Sequence, residues 1–169
     1  MSIQLRIATL QDLAILRRWD EQPHTIHSDP HDDWNWEVEL QREMPWREQL
    51  IAELDGRPLG FIQIIDPLEE DTHYWGSVEA DLRAIDIWIG RAEDLGKGYG
   101  TIMMQLALAR CFQEPRVKAV LLDPLESNVR AHRFYERLGF VFVEARRFGD
   151  DDCFVYRLER ERWLRKTPR

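Results

Sequence analysis

The chain has 169 residues, 44% of them hydrophobic and 32% charged, which suffices to bury one core and predicts a single domain over 1–169. Its formal charge of -8 argues against a nucleic-acid-binding face or an anionic membrane partner and favours a cationic ligand. No stretch approaches the roughly 20 apolar residues of a membrane span, and Met1 to Arg6 lack a signal-peptide run, so a cytoplasmic protein is expected.

Ile3 to Ile7 alternate apolar with polar residues as a half-buried strand does, and Leu10, Leu13 and Leu16 then recur at helical spacing. From Pro23 to Asp33 the composition predicts a long loop, followed by a second helix around Trp36 to Met44. Gln49 to Leu54 and Leu59 to Ile65 flank Asp55-Gly56-Arg57-Pro58, a strand, tight turn, strand pattern. Asp66 to Asp81 is acidic and irregular. Ile85 to Ile89 predicts a strand, Thr101 to Phe112 a buried helix, and Val117 to Leu122 a strand covered on both faces.

Ser127 or Asn128 caps a further helix that buries Ala131, Phe134 and Leu138 and ends at Gly139. Two closing strands, about Phe140 to Ala145 and Cys153 to Leu158, complete the sheet. The fold class is therefore α/β or α+β, with one mixed sheet and helices packed on it. Cys111 and Cys153 read as packed thiols, and His24, His27 and His31 share a loop at a spacing that suits no helix-borne metal site. No metal is expected.

Between the strand at Ile85 and the helix from Thr101 lies Gly96-Lys97-Gly98-Tyr99-Gly100. Glycines between a strand and a helix leave unpaired N–H groups at the positive end of the helix dipole, where a phosphate fits. Lys97 adds charge at the rim. The nucleotide P-loop needs Ser or Thr after Gly-Lys, and Gly98 stands there. The dinucleotide fingerprint needs a third Gly or Ala where Thr101 stands, although Asp123 mimics its ribose-binding acid. That rival and a glycine loop without a ligand both stay open on this turn alone.

Asn128, Ala131, Tyr135, Gly139 and Phe140 match Asn-x-x-Ala-x-x-x-Tyr-x-x-x-Gly-Phe, a pattern that resembles the acetyl-CoA-contacting helix and strand of the GNAT N-acetyltransferases. The glycine turn upstream supplies the other half of the match, with Leu95 where that family usually has Gln or Arg. Within the family the chain is most similar to the aminoglycoside 6'-N-acetyltransferases, through Ile85-Asp86, Leu95 to Gly98, Asp123-Pro124, Ser127-Asn128, Arg130-Ala131 and Tyr135. The resemblance implies a GNAT-like fold with a mostly antiparallel central sheet. It also implies acetyl-CoA as co-substrate, bound by Ile87, Trp88, Ile89, Leu95, Gly96, Lys97, Gly98, Tyr99, Gly100, Thr101 and Asn128.

Acetyl transfer needs a neutral amine, so a base or water relay must take a proton, and Asp86 is the candidate. A backbone N–H on the strand from Ile87 to Ile89 would stabilise charge on the carbonyl oxygen, and Tyr135 by resemblance serves the leaving thiolate. Tyr135 also reads as a core tyrosine beside Phe134. Asp86, Asp123, Asp151, Glu79 and Tyr74 are the candidate acceptor-binding residues, although Glu79 and Asp81 read equally well as a solubilising set. Trp34, Trp36, Tyr74 and Trp75 could stack on sugar rings or pack in the core.

The expected acceptor is a cationic, aminoglycoside-like small molecule, and the protein a monomer or homodimer. Another amine, such as a polyamine, a siderophore precursor or a protein N-terminus, is the second reading. A non-catalytic acetyl-CoA-binding module is the third.

Overall fold

The structure is a computed structural model and describes residues 1–167. Its seven strands lie in the spatial order 3–7, 47–54, 57–65, 82–89, 119–122, 151–159 and 141–148 in one mostly antiparallel sheet. The residues cluster into two compact units, Met1–Ile64 with Asp86–Ala107, and Ile65–Ile85 with the chain from Leu108 onward.

In the first unit β1 (Ile3–Ile7) pairs antiparallel with β2 (Arg47–Leu54), Ile3 opposite Leu54 and Ile7 opposite Leu50. β3 (Arg57–Ile65) follows β2 across Asp55 and Gly56, whose φ values of 50° and 82° are those a two-residue hairpin turn demands. Gly90 N–H donates to the Leu59 carbonyl at 2.9 Å, and Gln63 reaches Asp86, so β4 (Leu82–Ile89) runs antiparallel to β3. α1 (Leu13–Asp20) buries Leu16 and Trp19 in a cluster with Ala8, Trp36, Ile51 and Phe61.

The expected loop after Pro23 contains a helix, α2 (Pro23–Ser28). Proline at the first helical position loses no hydrogen bond and has the right φ already. Conversely, the helix expected to reach Met44 is only α3 (Trp36–Glu39). The Arg47 guanidinium takes the carbonyls of Glu39 and Arg42 at 3.1 Å each, acceptors that a continuing helix would need. α4 (Tyr99–Gln113) starts inside the glycine turn, directly after Gly98 and two residues before the expected Thr101.

In the second unit β4 pairs parallel with β5 (Ala119–Leu122) through Leu82, Arg83 and Ala84. Beyond Ala84 the strand runs on to Ile89 without that ladder. α5 (Val129–Leu138) is capped by Asn128, whose Oδ1 accepts from Ala131 N–H at 3.2 Å, and it ends on Gly139 at φ 104°. Its most buried residue is His132, not Ala131, Phe134 or Leu138; the ring stacks on Phe154 and hydrogen-bonds the Leu125 carbonyl at 2.9 Å.

β6 (Val141–Phe148) forms the sheet edge beside β7 (Asp151–Glu159), which pairs antiparallel with β5. A helix the periodicity did not predict, α6 (Arg160–Lys166), closes the unit. Arg160 ties its start to the carbonyls of Phe112, Glu114 and Val117, and Trp163 stacks on Phe112. Both cysteines are buried.

Candidate active site

Asp86 stands on β4 two residues past the last pair with β5, half-buried, with Gln63 Nε2 donating to its Oδ2 at 3.1 Å. Burial pushes its carboxyl up to about 6, the hydrogen bond from Gln63 pulls down, and the charge of Asp32 pushes up again. A carboxylate in this range is ionised at neutral pH yet basic enough to accept a proton. Backbone groups alternate sides along an extended strand, so with Gly90 facing β3 the N–H and C=O groups of Ile87 and Ile89 face away from it. Trp88 packs against Phe61 and Trp34 at 4.6 and 5.2 Å between ring centres.

Leu95 closes the short turn that leads into the glycines, and the buried Asp94 before it is held by both terminal nitrogens of Arg57 at 2.9 and 3.0 Å. That bidentate pair anchors the start of the turn. Gly96 and Gly98 have φ values of 72° and 81°, left-handed backbone that a side chain strains. Lys97 is exposed beside them. The first helical hydrogen bond of α4 runs from Ile102 N to Gly98 O, so the N–H groups of Tyr99, Gly100 and Thr101 come before it. This donor set on a 15-residue helix fits the pyrophosphate of acetyl-CoA.

A feature the sequence reading missed lies close to Asp86. Asp29 hydrogen-bonds with Asp32, accepts from Trp34 Nε1 at 3.2 Å, and has its carboxyl pushed up to about 8. Burial is the main cause, followed by the contact with Asp32 and the charges of Asp32 and Asp86. The charges of Asp32 and Asp86 thus act on Asp29 in one acidic place, where Asp29 holds its proton at neutral pH. Beside it Trp34 stacks on Trp36 at 5.0 Å, and both pack against Phe61. The run of acids at positions 29, 32 and 33 was the available signal, but it read as loop composition. Trp36 and Trp75 are buried in their own units and offer no ring face to a sugar, whereas Trp34 is half-buried.

The second unit holds the other predicted residues. Tyr74 donates its hydroxyl to Asp123 Oδ2 at 2.5 Å and lies flat on Phe148, with 4.7 Å between ring centres. Arg146 covers the Phe148 ring and donates to the Trp75 carbonyl at 2.9 Å. Asp151 opens β7 opposite Phe148. Tyr135 is half-buried on α5 near Phe134, Phe140 and Tyr156. The Asn128 side chain serves as the helix cap. Glu79 is bound by Arg157 at 2.7 Å and faces Lys118 at 3.7 Å, and the Arg157 hydrogen bond holds its carboxyl below the usual range. Its charge is already matched by these two cations.

Among the described residues no group of three or more His, Cys, Asp or Glu side chains could hold a metal ion, and no helix is long and apolar enough to cross a membrane.

A strand, a glycine turn and a helix N-terminus, followed by an asparagine-capped helix carrying Tyr135, define an acyltransferase fold. Residues 8–148 match the acetyltransferase (GNAT) domain family, and the chain belongs to it. It is a GNAT-type N-acetyltransferase, of the class that draws its acetyl group from acetyl-CoA. An aminoglycoside N(6')-acetyltransferase type 1 of Klebsiella pneumoniae is 30% identical over 151 residues, 82% of this chain and 74% of that protein. A lysine N-acyltransferase of Mycobacterium tuberculosis is 24% identical over 92% of this chain and 76% of its own length. The solved aminoglycoside acetyltransferase AAC(6')-Ib, in complex with coenzyme A and kanamycin, superposes with a TM-score of 0.85 at 28% identity, covering 98% of this chain and 99% of that one.

Proposed function

We propose that residues 1–169 form one acetyltransferase domain that acetylates a primary amine of a polycationic, aminoglycoside-like molecule, with 6'-N-acetylation as the leading reaction. The observation that carries this is the placement of Asp86 among Asp29 and Asp32, beside Trp34. Like charges at close range raise each other's proton affinity, and an acceptor with several ammonium groups relieves that repulsion by charge-assisted hydrogen bonds. The similarity to enzymes that act on aminoglycosides supports the same choice.

Acetyl-CoA supplies an already activated thioester, so no covalent intermediate on the protein is needed. The N–H groups before the first bond of α4, with Lys97, would hold its pyrophosphate. Asp86 takes the proton from the attacking amine, directly or through a water. A backbone N–H of Ile87 or Ile89, turned away from β3, holds the negative charge on the carbonyl oxygen. Tyr135 is assigned to the departing thiolate on the family pattern. Asp123, held by Tyr74, and Asp151 are assigned to further ammonium groups of the acceptor.

The test is release of free thiol from acetyl-CoA over a panel of aminoglycosides, polyamines, lysine derivatives and peptide N-termini, with the acetylated nitrogen located by mass spectrometry and NMR. Turnover led by an aminoglycoside at its 6'-amine is the expected result. Tight acetyl-CoA binding with no turnover on any amine would sink the enzyme reading. Preference for a lysine side chain would favour the second reading, towards which the mycobacterial relative points.

A further inference from the structure

Ile89 ends β4, and the peptide that joins it to Gly90 is held at three points. Gly90 N–H donates to the Leu59 carbonyl at 2.9 Å. The Trp19 indole lies so close to the Gly90 Cα that a Cβ there would come within 2.0 Å of the ring. The Ile89 carbonyl, directed away from β3, meets His24 Nε2 at 2.7 Å. A carbonyl oxygen only accepts, so Nε2 is the ring nitrogen that carries hydrogen in this contact. His24 Nδ1 is buried and has no hydrogen-bond partner among the described residues, so the contact to Ile89 is the ring's one polar anchor among them.

His24 lies on α2, 65 residues away in sequence and five residues before Asp29 closes that helix. A single bond therefore ties the segment that carries the acid pair to the end of the strand that carries Asp86. It also takes one group out of the polar edge that Ile87 and Ile89 present. The N–H and C=O of Ile87 and the N–H of Ile89 remain for an incoming chain, and the Ile89 carbonyl is taken. An extended ligand pairing with that edge thus finds its last acceptor at Ile87.

We propose that His24 is a positioning residue: by holding the Ile89 carbonyl it fixes the Ile89–Gly90 peptide and sets where the backbone edge that binds acetyl-CoA ends. The proposal rests on the reading that residues 87–89 bind the acyl donor. Without the bond the peptide keeps only the anchors on its Gly90 side, and the Ile89 carbonyl is able to tilt from the direction that the strand and His24 give it.

His24→Gln keeps an N–H donor at similar reach, and His24→Phe keeps ring bulk without one. Calorimetry of acetyl-CoA binding should give a dissociation constant raised for His24→Phe by up to about fivefold to tenfold, the most that one hydrogen bond's worth of positioning contributes, with His24→Gln within about twofold of wild type. The KM for the amine should stay unchanged in both. A lowered melting temperature with an unmoved dissociation constant would make His24 merely structural and overturn the proposal, as would a His24→Gln variant as weak as His24→Phe. If His24→Phe fails to fold, nitrogen-15 NMR of the wild type decides. A slowly exchanging Nε2–H correlated with Ile89 supports the bond, and a rapidly exchanging one overturns it. Wild-type protein that binds no acetyl-CoA removes the acyl-donor reading and the proposal together, whereas wild-type binding with no change in His24→Phe removes the proposal alone.

Discussion

Gln63 donates to Asp86 at 3.1 Å while its own Oε1 accepts from the buried Gln49 at the same distance. Gln49 thus fixes which end of the Gln63 amide faces the carboxylate. Asp86→Asn should lower kcat by about 10²- to 10⁴-fold, the usual contribution of a general base, with acetyl-CoA affinity within about twofold of wild type. Steady-state kinetics with calorimetry on the same preparations checks this. Turnover unchanged across pH would remove Asp86 from the mechanism.

The pH profile follows from the same carboxyl. If Asp86 is the base it acts only when ionised, so kcat/KM for the amine should climb through about pH 6 on its acid limb. Gln63→Met deletes the hydrogen bond that favours the ionised form, so the limb should move to higher pH. A limb that moves down, or stays in place, contradicts the assignment.

Asp29 makes a prediction about stability. Its carboxyl sits at about 8 in the folded chain against an ordinary 3.8, so the folded state binds the proton more tightly than the unfolded one. The resulting stabilisation is complete below the ordinary value and is lost as pH rises to about 8. Asp29→Asn cannot ionise and avoids that loss. The melting temperature of the variant minus that of wild type should therefore grow between about pH 4 and pH 8 and level off above.

At the glycine turn, Gly98→Ala meets no atom within 4 Å, so any cost comes from the backbone at φ 81°. About 1 to 2 kcal/mol of strain is expected, or a shift of the turn that relieves it. In either case acetyl-CoA binding should weaken by about tenfold with the amine KM little changed, as titration calorimetry would show.

Tyr74→Phe keeps the ring that stacks on Phe148 and deletes the bond to Asp123. If Asp123 receives an ammonium group of the acceptor, the amine KM should change by about threefold to tenfold while that for acetyl-CoA stays put. Equal shifts in both constants would point to a general loosening instead.

The hairpin, the buried helix after the glycines and the asparagine cap were legible because each depends on neighbours in sequence. Asp55-Gly56 specifies its turn locally, and Asn128 reaches only as far as Ala131. What stayed hidden depends on distant partners. The length of α3 is set by Arg47, the start of α6 by carbonyls of the α4 end, and the proton affinity of Asp29 first by its burial and its contact with Asp32, with the charge of Asp86 adding to it. Asp86 itself was legible as a candidate from its strand and its family pattern, whereas Gln63, which tunes it, stands in a strand that reads as plain hairpin. On α5 the burial of His132 beside the partly buried Ala131, Phe134 and Leu138 went unread, because a residue polar by type is satisfied there by the Leu125 carbonyl.

β4 is one strand with two duties. Its first three residues are locked to β5, and its last four are not. A saturation mutational scan scored separately for cellular abundance and for acetyl transfer should therefore change character within this single strand. Substitutions from Leu82 to Ala84 should depress abundance and activity together. At Asp86 and Ile87, which are only half-buried, many variants should accumulate normally and still fail to turn over.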